Sequence, residues 1–327
     1  MRVLVCGGAG YIGSNMTAML NAEGHEPVVY DNLSGGHRAA VGETELVEGD
    51  LADYELLVAT LEKYNIEAVM HFAAFIEVGE SVRAPLKYYR NNLCDTQNLL
   101  SAMEAAGVEK FVFSSTAAVY GIPKQTPITE EAPTIPINPY GQTKLAVERM
   151  CHYQSQTGKL RYASLRYFNA AGAGNNCQLG EDHRPESHLI PLTIQAARGK
   201  SDGIEIYGTD YLTPDGTCIR DYIHVEDLCR AHMLALHKLD QSCELIYNLG
   251  NGKGYSVRKV IETVKKVSCK DFKVVAVDRR PGDAPILTSD ATKARNELGW
   301  RIEFPDLEKI VETAWKWHSK YPNGYRD

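Results

Sequence analysis

Arg2-Val3-Leu4-Val5-Cys6-Gly7-Gly8-Ala9-Gly10-Tyr11-Ile12-Gly13-Ser14-Asn15 joins a short apolar run to a glycine-rich turn, and helix-forming residues continue over 16–22. The run reads as a buried parallel strand. Gly7, Gly10 and Gly13 give the spacing G-x-x-G-x-x-G, a variant of the commoner G-x-G-x-x-G. Bare glycines let the backbone approach a pyrophosphate, and the helix N-terminus beyond supplies N–H groups and positive dipole. Strand, turn and helix in that order therefore predict a dinucleotide-binding unit.

A second strand, predicted over 26–30, runs into Asp31-Asn32-Leu33-Ser34-Gly35-Gly36. An acid at this point hydrogen-bonds an adenosine ribose and repels a 2′-phosphate, which favours NAD over NADP. Arg38, close by in sequence, is the one feature that keeps NADP open. Further strands are predicted over 44–48, 68–71, 110–114 and 162–167, with helices over 53–63, 85–106 and 139–156. The alternation predicts an α/β fold, a doubly wound parallel sheet of Rossmann type. Ligands in such sheets bind at the carboxyl ends of the strands, so the Gly7 turn, Asp31, Asp50, Ala73, Thr116 and Asn169 are expected to share one cleft. From about residue 171 the pattern loosens. The expected division is 1–170 for NAD and 171–327 mainly for a smaller α/β substrate unit, with 219–245 returning to the first.

Pro139-Tyr140-Gly141-Gln142-Thr143-Lys144 carries the chemistry, together with the hydroxyls of Ser114-Ser115-Thr116. Positions i and i+4 share a helix face, so Tyr140 and Lys144 point the same way. A free tyrosine titrates near pH ~10, and a cation within a few ångströms favours the phenolate. The expectation is a Tyr140 pKa lowered by Lys144, giving a base for a sugar hydroxyl at neutral pH. Tyr-x-x-x-Lys alone is a weak pattern, since an exposed helix pair is its commoner origin. The glycine turn and the hydroxyl cluster supply the weight.

Composition excludes other classes. Hydrophobic residues make up 44% and charged residues 24% of the 327 residues, as in a globular protein. A net charge of −7, without a basic stripe, argues against nucleic acid as a partner. No apolar run reaches the ~20 residues that span a bilayer, and glycines interrupt the N-terminal run at once, unlike a signal peptide. Eight scattered cysteines without C-x-x-C spacing are expected to be reduced thiols in a cytoplasmic protein.

These motifs together resemble the extended short-chain dehydrogenase/reductase family, and within it the UDP-hexose 4-epimerases. The resemblance runs from Gly7–Gly13 to Pro322-Asn323-Gly324-Tyr325. It is most specific at Asp31-Asn32-Leu33-Ser34, His71-Phe72-Ala73-Ala74, Val78-Gly79-Glu80-Ser81, Tyr167-Phe168-Asn169, the stretch Asp215 to Val225, and Arg279-Arg280-Pro281-Gly282-Asp283. It implies an isomerase that interconverts UDP-galactose and UDP-glucose through a 4-keto sugar, with NAD held tightly, and a homodimer. Implied cofactor contacts are Gly7, Gly10, Tyr11, Ile12, Gly13, Asp31, Asn32, Leu33, Ser34, Gly35, Gly36, Asp50, Leu51, Phe72, Ala73, Ala74, Phe75, Ile76, Asn91, Thr116, Tyr140, Lys144 and Phe168. Implied UDP-sugar contacts are Asn169, His188, Leu189, Tyr207, Arg220, Tyr222, Arg280 and Asp283. Tyr140 is the implied base, Thr116 its hydrogen-bonding relay and Lys144 the ribose-binding cation; Arg220 and Arg280 suit a diphosphate.

Departures from the family pattern matter too. Ile76 stands where some members carry lysine, and Thr116 replaces a serine while keeping the hydroxyl. Leu287 occupies a specificity position where tyrosine restricts the pocket to glucose and galactose and smaller residues admit N-acetylated sugars, so both ranges stay open. An epimerase of another UDP-sugar (N-acetylhexosamine, pentose or uronic acid) is the nearest alternative. A 4,6-dehydratase needs carboxylates just after the hydroxyl cluster, and Ala117-Ala118 stand there instead. A non-catalytic NAD-sensing protein commonly lacks the Tyr or the Lys. Bland readings cover the rest: His71 packs under the sheet, Asp182 and His183 lie in a loop, and one of Trp315 and Trp317 packs. His188 is a loop contact, made through side chain or backbone, with no second metal ligand at usable spacing; no metal is expected.

Overall fold

The computed structural model describes residues 1–280 and 283–326; Pro281 and Gly282, within the Arg279–Asp283 motif, and Asp327 lie outside the described residues. In the first half the elements are β1 (Arg2–Cys6), α1 (Tyr11–Ala22), β2 (Glu26–Asp31), α2 (Arg38–Val41), β3 (Glu45–Glu48), α3 (Tyr54–Lys63), β4 (Ala68–His71), α4 (Val78–Arg83), α5 (Pro85–Tyr88), α6 (Asp95–Ala106), β5 (Lys110–Thr116), α7 (Pro139–Gln156) and β6 (Arg161–Tyr167). Then follow β7 (Asn169–Ala171), α8 (Leu189–Ala197), β8 (Ile204–Tyr207), β9 (Ile219–His224), α9 (Val225–Lys238), β10 (Glu244–Leu249), β11 (Gly254–Ser256), α10 (Val257–Ser268), β12 (Val274–Val277), β13 (Ile286–Leu287), α11 (Thr292–Leu298) and α12 (Leu307–Lys320).

The main sheet has seven parallel strands in the order β10-β6-β5-β4-β1-β2-β3. Winding reverses between β1 and β4, which opens a crevice at their carboxyl ends. β1 shows why both faces are covered. Val3 and Val5 join an apolar cluster with Met16, Leu20 and Leu228, while Leu4 and Cys6 join another with Leu57, Leu99 and Phe111. Strands buried on both faces read as continuous apolar runs, as parallel strands do. β10 comes from late in the chain to pair with β6, and α9 packs on α1.

Two local differences from the sequence reading bear on the site. α1 begins at Tyr11, not at 16, because Gly10 caps it in extended conformation and the glycine turn feeds straight into the helix. The helix expected over 85–106 is interrupted by a π-helical segment at Tyr89–Cys94. Such widened turns concentrate at functional sites.

The remaining elements form a smaller α/β layer. β11, β9 and β13 pair side by side, β7 joins β9, and β12 pairs with β8. α8, α10 and α12 bury Ile190, Ile194, Val260, Val264, Ile310 and Val311 against one another. In α12 Trp317 is fully buried and Trp315 packs at the edge of that core. All eight cysteines are free thiols. Among the described residues no helix is long and apolar enough to cross a membrane.

Candidate active site

The glycine turn is shaped by close approach. A Cβ on Gly7 (φ +78°) would lie 2.5 Å from the backbone nitrogen of Ala73, and one on Gly13 would lie 2.1 Å from Gly7 O. Neither position tolerates a side chain. Gly10 differs: a Cβ there would meet only Gly7 O, at 3.3 Å, so its outer side is open to a phosphate. Asp31 ends β2 beside it and accepts hydrogen bonds from Ala9 N (2.9 Å) and Leu33 N (2.8 Å). Burial raises the Asp31 pKa, and those two N–H groups work against the shift. Asp50 is tied to Asn32 Nδ2 (2.8 Å), and Ser34 N donates to Asn32 Oδ1 (3.0 Å). Arg38 pairs with Glu48 in an exposed ion pair. The turn that bears Gly35 and Gly36 is held to α1's loop by His37 N donating to Ala9 O (2.9 Å). These residues fit the adenosine and pyrophosphate of NAD: an open glycine, a helix N-terminus beginning at Tyr11 and Ile12, and a carboxylate with lone pairs to spare.

The loop after β4 closes over this region. Phe72 N and Ala73 N both donate to Cys6 O, at 2.8 and 3.1 Å. Beyond Ala74, Phe75 is clamped by Asn92: Phe75 N donates to Asn92 Oδ1 (2.9 Å) and Asn92 Nδ2 donates to Phe75 O (2.9 Å). The π-helical segment thus places Asn91, an expected contact, beside a buried asparagine that sequence reading missed, and the clamp positions Phe75 and Ile76. Leu51 gives its side chain to the apolar cluster under the sheet, which leaves only its backbone for a ligand.

Tyr140 stands in the first turn of α7. Asn138 caps that turn by accepting from Gly141 N (2.8 Å), and Pro139 occupies the first helical position. Gly141 is required by packing, since a Cβ would lie 2.6 Å from Ala118 O. That contact brings α7 against the turn after β5, close enough for the Thr116 hydroxyl to bear on the ionisation of the Tyr140 phenol. Lys144, one turn on, is buried; its Nζ donates to Ser114 O (2.8 Å) and lies 4.8 Å from the centre of the Phe113 ring.

The expected electrostatics are reversed here. Burial raises the Tyr140 pKa, and what opposes it is Thr116, with no contribution from Lys144. The lysine is itself desolvated, and burial lowers its pKa to about 7 despite the raising effect of Glu148. A Tyr–Lys pair on one helix face shares geometry, but desolvation disfavours the charged form of each.

Glu148 continues the face Tyr140–Lys144 at the same four-residue spacing, a signal that sequence reading passed over. It receives Arg166 Nη2 at 2.6 Å and Nε at 3.0 Å, and Ser115 Oγ also donates to it. Arg166 Nη1 donates to Tyr120 Oη (2.9 Å), which donates to Asn248 Oδ1 (2.7 Å). Burial of the neutral His71, whose pKa falls to about 3, leaves its Nε2 against Thr96 Oγ1 at 2.9 Å, away from any catalytic role.

On the other side of the crevice, Phe168 N donates to Leu249 O (3.2 Å) and Asn169 Nδ2 donates to Asp221 O (2.7 Å). Asp221 is a buried hub that accepts from Asn251 N, Gly252 N, Ser289 N and Ser289 Oγ. Arg220 donates to Ala284 O (2.8 Å) and pairs with Asp283 Oδ1 at 3.4 Å. Arg280 stacks on Tyr207, 3.7 Å from the ring centre, whereas Arg279 pairs with Asp210. Leu287 sits opposite Arg220 in the β13–β9 ladder and, like Phe168, packs against the cluster of Val119, Tyr120, Ile128 and Leu145. Tyr222, expected to touch a sugar nucleotide, is 5% exposed and belongs to the core of α8, α10 and α12.

His188 stands just before Leu189 and α8. Its backbone N–H donates to Glu186 Oε1 (2.8 Å), so the N–H is not free for a ligand. It also has neighbours of metal-ligating type: one ligand atom each from Glu181, His183, Glu186 and His188 lies within 4.8 Å of every other. The short loop folds back on itself, which linear spacing did not reveal.

A doubly wound sheet with an open glycine turn, a ribose-type carboxylate and a Thr–Tyr–Lys constellation at its carboxyl edge defines a dinucleotide-dependent enzyme of sugar-nucleotide type. Comparison with known proteins agrees: the NAD dependent epimerase/dehydratase family matches residues 3–250, and the chain belongs to that family. A UDP-glucose 4-epimerase of Halalkalibacterium halodurans is 49% identical over 326 residues, covering 99% of this chain and 98% of the relative. A crystal structure of UDP-glucose 4-epimerase from Brucella ovis with NAD superposes with a TM-score of 0.94 at 49% identity, over 96% and 97% of the two chains. The enzyme from Bifidobacterium longum, solved with NAD+ and UDP, gives 0.95 at 38% identity over 99% and 100%.

Proposed function

We propose that the protein is an NAD-dependent isomerase that interconverts UDP-galactose and UDP-glucose at C4 of the hexose. The observation that carries this is the placement of Tyr140, Lys144 and Thr116 together at the carboxyl edge of β5, with Ala117 and Ala118 next to them. Dehydration at C5 and C6 would need carboxylates in that place.

Gly7, Gly10, Gly13, Asp31 and the clamped 72–76 loop hold NAD, which when bound accepts and returns hydride at the sugar C4 and brings a positive ring charge to the site. Tyr140 Oη takes the proton from the 4-hydroxyl. Thr116 Oγ1, whose influence favours the phenolate, stabilises it and relays the proton. Lys144 Nζ, 2.8 Å from Ser114 O, is fixed to meet the nicotinamide ribose. Because burial holds the Tyr140 pKa up, the phenolate depends on charge gathered at the site when ligands bind. The resulting 4-keto sugar stays tethered by UDP, turns over, and takes its proton back from Tyr140. Arg220 and Arg280 grip the diphosphate, and Asn169, Leu189, His188 through its ring, Tyr207 and Asp283 complete that side. For Arg220 to do so its fork leaves the carbonyl of Ala284 and Asp283. Leu287 lines the hexose end beside Phe168. We assign 1–170 to the NAD unit together with α9 and β10, the part of the expected 219–245 return that joins it while β9 pairs in the smaller layer, and the remainder mainly to UDP-sugar, and we expect a homodimer.

The test is direct. Purified protein is incubated with UDP-galactose without added cofactor, and the anomeric protons are followed by NMR. UDP-glucose should form with no net NADH; loss of water or accumulation of NADH would refute the assignment. Tyr140→Phe should keep its NAD content and lose turnover by about 10²–10⁴-fold, the usual worth of a general base.

A further inference from the structure

The loop that precedes α8 gathers two carboxylates and two imidazoles, of which only His188 has a part in the proposed sugar-nucleotide site. His188 Nδ1 lies 2.8 Å from Glu181 Oε1 and 3.2 Å from Glu186 Oε1, and His183 Nδ1 lies 3.3 and 3.8 Å from the same two oxygens. Both glutamate side chains are only 5% exposed. His183 Nδ1 is buried and makes no well-angled hydrogen bond, although it points at this group. We propose that Glu181, His183, Glu186 and His188 form a binding site for a divalent cation of the zinc class.

The geometry suits that ion. Zinc takes four nitrogen and oxygen ligands tetrahedrally at ~2.0–2.2 Å, which puts ligand atoms ~3.3 Å apart. The four imidazole–carboxylate contacts, 2.8 to 3.8 Å, bracket this spacing, and all four ligand atoms lie within 4.8 Å of one another, so His188 must draw back and the widest pairs must close in on the ion. Charge suits it as well. Two buried carboxylates and two neutral imidazoles carry −2, which one divalent cation cancels. Without it, protonation of the two imidazoles would balance the carboxylates, so protons and the metal compete for one site. Outer-shell support is present: Ser187 N and His188 N both donate to Glu186 Oε1 at 2.8 Å, which fixes that carboxylate. Entry is open on the His188 side, whose side chain is 37% exposed. With four protein ligands the site is structural in kind. It would pin the loop that leads into α8 against α1, where the His183 ring meets Tyr11 edge-on at 6.4 Å and Tyr11 Oη donates to Gly172 O (2.8 Å).

The experiment uses the NAD-loaded protein. After dialysis against chelator and then micromolar zinc chloride, elemental analysis should give one zinc per chain. Zinc should raise the thermal midpoint of the chelated protein. Cobalt(II) in its place should give visible ligand-field absorption without a sulfur-to-cobalt charge-transfer band. Glu181→Gln and His183→Ala should each weaken zinc binding by more than the roughly 10–100-fold that loss of an outer-shell partner costs. No retained zinc in the wild-type chain overturns the site. So does retention equal to wild type in Glu181→Gln, which would remove that carboxylate from the ligand set, or a sulfur charge-transfer band, which would place the metal on cysteines. Should both variants fail to fold, the wild-type zinc content and cobalt spectrum decide.

Discussion

Replacing Lys144 by methionine should change how stability depends on pH, by an amount that follows from burial. The Lys144 pKa falls from an ordinary 10.5 to about 7 in the folded chain, with desolvation as the main cause. The sign is fixed by proton counting. Between those values the unfolded chain carries the proton and the folded chain does not, so folded stability rises with pH across the window. Each pK unit corresponds to about 1.4 kcal/mol, so the full penalty near and below pH 7 is about 5 kcal/mol, fading towards pH 10.5. Between pH 6.5 and 9.5 wild type should gain about 3 kcal/mol relative to Lys144→Met. Comparing the two proteins cancels the other titrating groups. The methionine variant also loses the bond to Ser114 O, a constant offset that does not alter the slope. Urea unfolding of nucleotide-free protein at a series of pH values measures it. Parallel curves for the two proteins would refute the reasoning, because the ammonium would then keep its ordinary pKa despite burial. The variant should also lose turnover, so a residue that weakens the empty protein is retained for chemistry.

Other outcomes follow from packing and charge. Glu148→Gln should cost about 3–5 kcal/mol in urea unfolding, since it leaves the buried Arg166 guanidinium uncompensated, whereas Glu148→Leu combined with Arg166→Met should cost less. Gly141→Ala should lower stability by about 1–3 kcal/mol by overpacking. It should also cut kcat more than tenfold, about 1.4 kcal/mol in barrier, because the new Cβ meets Ala118 O at 2.6 Å and pushes Tyr140 off Thr116; unchanged kcat would separate that contact from catalysis.

What the chain alone determines is whatever depends on near neighbours. The apolar run Arg2–Cys6, the glycines that follow, Asp31 after the next strand, and the four-residue step from Tyr140 to Lys144 are local patterns with local causes. They were enough for the doubly wound sheet, the NAD dependence and the helix that carries Tyr140 and Lys144, whose bounds Pro139–Gln156 match the reading. Even Glu148 was within reach of the same periodicity. Tertiary structure alone decided how these groups are charged and held. Whether Lys144 lowers the Tyr140 pKa depends on how much water reaches both, and burial from β5, the Ala118 turn and α7 outweighs the helix spacing. Likewise Arg166 meets Glu148, and Tyr120 and Asn248 extend the chain from Arg166, only because β6, the turn after β5 and the late strand β10 come together in one sheet edge. The convergence of Glu181, His183, Glu186 and His188 was hidden for the same reason: in a loop no fixed period sets direction, so which side chains face each other is settled by the walls it folds against.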